Sequence, residues 1–302
     1  MKIYVSGAAG MLGDAFIRHF GKNHELMCTD IDFGEDNIQY CDFRNYAEYS
    51  KQVVGWKPDY LFHLGAHTDL EYCENNPDDT YLTNALSVEG AVQIANNLDI
   101  PLLYISTAGI FDGRKDVYDD WDTPNPMCAY ARAKYLGERY VVENMRRYFV
   151  CRAGWMMGGG LKKDKKFVKK IVAQLLDGRK ELNIVTDKLG VPTYTHDFAA
   201  NVSQLIQTDY YGVYNMACDG TTSRFEVAKE LVRLLNMSNT VKLNPVDSSF
   251  FIKEYFAPRP DSERLINRKL ALRNLNTMRD WRICLKEYVD EHYAELFSRT
   301  SK

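Results

Sequence analysis

The sequence predicts an α/β protein: a doubly wound parallel sheet with a smaller C-terminal lobe. Three observations predict it. Through the first half, short apolar runs alternate with longer helical patterns, as βαβ units covered on both faces require. In VSGAAGMLG the first apolar run passes straight into glycines and then a helix. After Trp155 the alternation stops at GGGLKKDKKF and a different pattern begins.

The elements follow in order. KIYVSG is a buried strand, AFIRHFGK continues a helix, and ELMCTD is a second strand. YAEYSKQVVGWK is helical and PDYLFHLGA is a strand. TYLTNALSVEGAVQIANNL is a long helix and IPLLYISTA the next strand. AYARAKYLGERYVVENM is a helix and YFVCRAGW a strand. The crossovers should be right-handed. Beyond Trp155, the lysine-rich stretch reads as a glycine turn and a basic amphipathic helix. LGVPTYTHDFAANVSQLIQ reads as a proline-containing loop and a helix, and GVYNMAC as a strand able to rejoin the sheet. TSRFEVAKELVRLLNM is an amphipathic helix opened by a Ser/Thr cap. The tail APRPDSERLINRKLALRNL is loop and helix.

Composition narrows the function. The net charge of -3 lacks the basic excess of a nucleic-acid binder. No apolar run reaches the roughly 20 residues of a membrane span, and MKIYVSGAAG meets glycine too early for a signal peptide. The seven cysteines are scattered and never in a C-x-x-C pair. That argues against a disulfide framework or structural zinc and for a reducing compartment. The expectation is a cytoplasmic protein, with a homodimer left open.

Gly7, Gly10 and Gly13 are spaced G-x-x-G-x-x-G. Glycine allows a tight turn, close backbone approach to a pyrophosphate, and close helix–strand packing. The helix that starts at Met11 and Leu12 offers free N–H groups to phosphates. The expectation is a dinucleotide site in residues 1–154. Residues 155–302 form mainly a substrate lobe, with a strand near 212–218 back in the sheet. Asp30 ends the second strand, 17 residues after Gly13, where a carboxylate holds ribose hydroxyls and repels a 2′-phosphate. It tilts the cofactor towards NAD(H) over NADP(H). Asp32 is a rival for that role, and either could be a turn residue.

Tyr130 and Lys134 stand at i and i+4 of a helix, so they share a face. A close ammonium would lower the phenol pKa towards neutrality and fit it for proton transfer. Thr107, at a strand end, can hydrogen-bond a substrate oxygen, with Ser106 the alternative one residue back. His63 and His67 flank LGA without the further ligands that a metal site needs. Lys162, Lys163, Lys165, Lys166, Lys169 and Lys170 read as a solvated face, from which one or two could neutralise a pyrophosphate.

Taken in this order, the motifs resemble an extended short-chain dehydrogenase/reductase, and more closely the dTDP-4-dehydrorhamnose reductase family. The resemblance covers nearly the whole chain. ISTAGIFDG is similar to that family's STDYVFDG, and DDWDTPNPMCAYARAKYLGE to its E-x-D-x-P-x-P…Y-G-x-S-K-x-x-G-E. RAGWMMG, LGVPTYTHDFA and PRPDSERLINRKL resemble R-x-x-W-x-Y-G, G-x-P-T-Y-x-x-D-L-A and R-P-x-x-S-x-L-x-x-x-K-L. The resemblance implies a Rossmann domain with a sugar-nucleotide lobe. It implies NAD(P)H-dependent reduction of a nucleotide-linked 4-keto-6-deoxy sugar, for polysaccharide biosynthesis. A sugar-nucleotide epimerase and a non-catalytic cofactor-binding regulatory subunit are the alternatives.

By resemblance, Thr107, Tyr130 and Lys134 are the catalytic triad. Asp42 and Phe43 contact the adenine, Leu64, Gly65 and Ala66 form a turn beside the cofactor, and Asn84 supports the site from behind. Arg152 and Trp155 fall at the nicotinamide and substrate edge. Lys166, Thr193, Tyr194 and Arg259 fall near the sugar nucleotide. Two departures stand out. The family's Asp-Tyr after the catalytic threonine is Ala108-Gly109 here, and an Asn before its substrate-helix Phe is Lys166. Ala108 therefore borders the substrate without an acid, which argues against dehydration.

Overall fold

The computed structural model describes residues 1–35 and 37–298. In chain order the elements of the first half are β1 (Lys2–Ser6), α1 (Met11–Phe20), β2 (Glu25–Asp30), β3 (Ile38–Tyr40), α2 (Tyr46–Trp56) and β4 (Tyr60–His63). There follow α3 (Leu70–Asn75), α4 (Pro77–Tyr81), α5 (Ser87–Leu98), β5 (Leu102–Thr107), α6 (Ala129–Asn144) and β6 (Tyr148–Ala153). The second half has β7 (Trp155–Met157), α7 (Gly160–Lys163), α8 (Phe167–Leu176), β8 (Glu181–Val185), β9 (Leu189–Gly190), β10 (Pro192–Tyr194), α9 (Thr195–Leu205) and β11 (Gly212–Asn215). It closes with β12 (Thr222–Ser223), α10 (Arg224–Leu234), β13 (Lys242–Val246), α11 (Arg268–Leu272), α12 (Trp281–His292) and α13 (Ala294–Ser298).

Seven strands form one sheet in the order β11-β6-β5-β4-β1-β2-β3, every pair parallel. Successive side chains point to opposite faces. Ile3 and Val5 pack with Leu12 and Phe16 of α1 and Phe198 of α9. Tyr4 packs on the other side with Val53 of α2 and Val92 of α5. The order reverses between β1 and β4, and the crevice outside the carboxyl ends there is where such sheets bind ligands. The expected Rossmann-like architecture is the observed one, and β11 rejoins the sheet as expected.

Three segments differ from expectation. The long helix is interrupted by a π-helical stretch, Leu82–Leu86, between α4 and α5. The lysine-rich helix is broken into α7 and α8, because buried Asp164 accepts from Lys166 N at 2.6 Å and from Tyr288 OH at 2.9 Å. The proline-containing loop holds β10, parallel to β7, a pairing between distant segments that no local pattern announces. No helix among the described residues is long and apolar enough to cross a membrane.

Candidate active site and cofactor cleft

The glycine loop is built for close approach. Gly7 has φ +80°, and a β-carbon there would stand 2.3 Å from Gly65 N. One on Gly13 would stand 2.2 Å from Ala8 O, so the turn and the packing of α1 both require glycine. Gly10 is different: it is exposed, and a β-carbon would meet only Gly7 O, at 3.5 Å. That open cradle lies before the unbonded amides of Met11, Leu12 and Gly13. Asp30 accepts from Ala9 N at 3.0 Å and from Asp32 N at 3.1 Å, so it fixes the loop. Asp32 is exposed. These residues fit a dinucleotide.

Phe43 lies beside that loop, and a β-carbon on Gly65 would be 2.2 Å from its ring. Leu64 N donates to Ser6 O at 3.0 Å, which holds the Leu64–Ala66 turn against β1. Asp42 is taken up by Arg44, at 2.8 Å, and the guanidinium also reaches Asp79 at 3.3 Å. The arginine holds the Asp42 carboxyl below its usual range. Sequence reasoning named Asp42 and missed Arg44, which stands two residues away.

Thr107 ends β5, and its Oγ1 accepts from Gly109 N at 3.1 Å. Ser106 points into the interior and is 3% exposed, so Thr107 is the hydroxyl at the cleft. Burial raises the Tyr130 pKa, and Thr107 opposes that shift. The expected lowering by Lys134 is not what the site shows. Burial instead pulls Lys134 down to about 7, partly opposed by Glu138. Its Nζ sits 4.1 Å above the Tyr104 ring. Desolvation is the largest influence on the phenol, and Tyr130 is held in its neutral form, the form that donates a proton.

Asn84 sits in the π-helical stretch, a geometry frequent at functional sites. It accepts from His67 N at 2.8 Å and donates to His67 O at 2.9 Å, so it holds the loop after β4 from behind. His67 pairs with Asp79 at 3.1 Å. His63 is a core residue within hydrogen-bonding reach of Ser6 and Tyr49, and burial drops its pKa to about 3.

Across the cleft several expectations are corrected. Arg152 is 4% exposed and bonded to Glu138 at 2.5 Å, so it lies behind Lys134 and not at the substrate edge. Thr193 and Tyr194 are fully buried. Thr193 Oγ1 accepts from Gly154 N at 2.9 Å, which joins β10 to the end of β6 and leaves no surface for a ligand. Ala108 is 1% exposed. Trp155 is half-buried, with one face covered. The Arg224 guanidinium lies 3.7 Å above its ring, and Gly190 packs so closely that a β-carbon would be 2.3 Å from it. Arg259 is bonded to Glu71 of α3 at 2.7 Å. Lys166 Nζ reaches Thr68 Oγ1 at 2.8 Å and Thr68 O at 3.0 Å, bridging α8 to the loop after β4. Its pKa is pulled down to about 8 by burial. Lys162 and Lys163 both bind Glu35.

Sequence reasoning missed Glu263 and Arg224. Counting R-P-x-x-S-x-L from Arg259-Pro260 puts Glu263, and not Ser262, at the serine, a signal that was there to use. Arg224 carries no such mark. It opens an amphipathic helix and becomes part of the cleft only because α10 packs there.

Comparison with known proteins accords with this geometry. The family profile described as RmlD substrate binding domain matches residues 1–294. A dTDP-4-dehydrorhamnose reductase of Escherichia coli (strain K12) is 27% identical over 305 residues, covering 97% of this chain and 99% of that protein. Among solved structures, a dTDP-4-dehydrorhamnose reductase ortholog from Clostridium acetobutylicum ATCC 824 superposes with a TM-score of 0.87 at 32% identity, covering 96% of this chain and 99% of that one. The dTDP-4-dehydrorhamnose reductase of Bacillus anthracis in complex with NADP has a TM-score of 0.87 at 28% identity, with the same coverage. The chain belongs to the RmlD substrate binding domain family.

Proposed function

We propose that this protein is an NAD(P)H-dependent reductase of the 4-keto group of a nucleotide-linked 4-keto-6-deoxy sugar. It would supply a reduced sugar for cell-surface polysaccharide, as a 25% identical relative named spore coat polysaccharide biosynthesis protein in Bacillus subtilis suggests. The observation that carries the reading is Thr107 at the end of β5, where it opposes the burial-driven rise of the Tyr130 pKa, with Lys134 one turn along α6. Residues 1–154 supply mainly the cofactor surface and residues 155–302 mainly the sugar-nucleotide surface.

A bound nicotinamide dinucleotide supplies the hydride. Gly7, Gly10 and Gly13 admit its pyrophosphate, with the amides of Met11 and Leu12 as donors. Phe43, the Leu64–Ala66 turn and Lys134 line the same crevice. The Asp30 carboxylate favours NAD(H), because a 2′-phosphate would meet like charge. Tyr130 protonates the carbonyl oxygen as negative charge builds on it, and Thr107 donates to the same oxygen. Lys166 and Arg259 stand on the side where the sugar nucleotide enters. The seven cysteines are all unpaired thiols, which supports a reducing compartment, the cytoplasm.

The test is oxidation of NADH and of NADPH, run separately, over a panel of 4-keto sugar nucleotides. Turnover that is lost in Tyr130→Phe supports the assignment. Retained turnover in that variant overturns it.

A further inference from the structure

Glu263, from the C-terminal segment, brings a carboxylate to Gly109, two residues past Thr107. Its placement is rigid. Glu263 N donates to Leu189 O at 2.8 Å, and Leu189 N donates to Asp261 O at 2.8 Å. The neighbouring Ser262 Oγ donates to Asp116 O at 2.5 Å. The carboxylate is held as well: its Oε2 accepts from Trp155 Nε1 at 2.6 Å. Trp155 is in turn locked between Gly190 and the Arg224 guanidinium.

The other oxygen, Oε1, receives no hydrogen bond among the described residues. A β-carbon on Gly109 would stand 3.3 Å from Oε1 and 3.5 Å from Thr107 Oγ1, so carboxylate and hydroxyl border one small space. Its charge is also felt at Tyr130. That space exists because residues 108 and 109 are Ala and Gly.

We propose that Glu263 is a specificity-determining residue. Its free Oε1 accepts a hydrogen bond from the sugar hydroxyl on the carbon beside the reacting carbonyl. An ionised carboxylate is an acceptor only, so it selects a hydroxyl-bearing ring and rejects a ring without one. A hydrogen bond to a charged group is strong enough to discriminate, and a site built for a hydroxyl leaves its own polar group unpaired when that hydroxyl is missing. The inference rests on the reductase reading above.

The experiment compares two 4-keto sugar nucleotides that differ only in the C3 hydroxyl, with the native protein, Glu263→Gln and Glu263→Ala. Glu263→Gln keeps the size of the side chain and an oxygen for Trp155. The native protein should favour the hydroxylated substrate by about 10- to 100-fold in kcat/KM. Both variants should lose most of that preference while the Kd for the nicotinamide cofactor stays unchanged. An undiminished preference in both variants overturns the inference and leaves the reductase intact. If the native protein turns over neither substrate, the reductase reading fails. Equilibrium titration with a sugar nucleotide and with its nucleoside diphosphate then decides the inference separately. Affinity contributed by the sugar and lost in Glu263→Gln supports the acceptor role; affinity that survives there overturns it.

Discussion

The two walls of the cleft are made differently. The cofactor wall is made of backbone: a positive-φ glycine, a β-carbon-free helix start and a turn pressed against its neighbour. The opposite wall is made of paired side chains: Arg259 with Glu71, Lys166 with Thr68, Trp155 with Glu263 and Arg224. A wall of backbone is specified by a few residues close together in sequence. A wall of side-chain pairs is specified by partners 69 to 188 residues apart, and changing one partner changes what the other can do. The first wall can be shared by many relatives of one fold, whereas the second can be retuned in each of them.

The strongest way to break the comparison is Tyr130→Phe, because Tyr130 stands where the walls meet. kcat should fall about 100- to 10,000-fold, with nicotinamide affinity unchanged; steady-state kinetics and a cofactor titration read both. Next is Glu138→Leu behind Lys134. It leaves Arg152 buried at 4% exposure without its carboxylate, and breaking such a pair costs about 3–5 kcal/mol. A lowered denaturant midpoint with unchanged slope would show it, and an unchanged midpoint would refute it.

The Lys134 ammonium sharpens the comparison through pH. Its pKa is lowered to about 7, and the protonated form is the working one. kcat/KM, which reports the free enzyme, should therefore fall as pH rises through about 7, towards tenfold per unit. The same shift acts on stability. Between about 7 and the ordinary lysine range the unfolded chain binds the proton that the folded chain has released. Lys134 should thus contribute a rise of stability with pH across that window, and Lys134→Met should remove that contribution while Lys166, lowered to about 8, keeps its own. The smallest effect is expected far from the cleft. Ser223 caps α10 by accepting from Glu226 N at 3.1 Å, so Ser223→Ala should cost about 1 kcal/mol. Any change in substrate preference beyond that would show that the helix start positions Arg224.

Much of this was legible in the residues. The βαβ alternation, the glycine loop, Asp30 and the Thr107, Tyr130 and Lys134 set rest on local spacing, and periodicity carries local geometry. What was misread depended on distance. Arg152 looked like a substrate residue until α6 supplied Glu138. Trp155 looked like an edge residue until Arg224 and Glu263 took it up. Thr193 and Tyr194 looked accessible until β10 paired with β7.

The sequence by itself determined the parallel sheet, the glycine turn and the helix face that Tyr130 and Lys134 share, because each follows from hydrophobic period, glycine's missing β-carbon or a one-turn spacing. Only the tertiary structure decided which charges are spent on one another and which remain for a ligand. It also decided that burial, and not Lys134, governs the Tyr130 phenol, and that Glu263 stands beside Thr107. Desolvation and ion pairing depend on what surrounds a group in space, and two residues 156 positions apart acquire that relation only when the chain has folded.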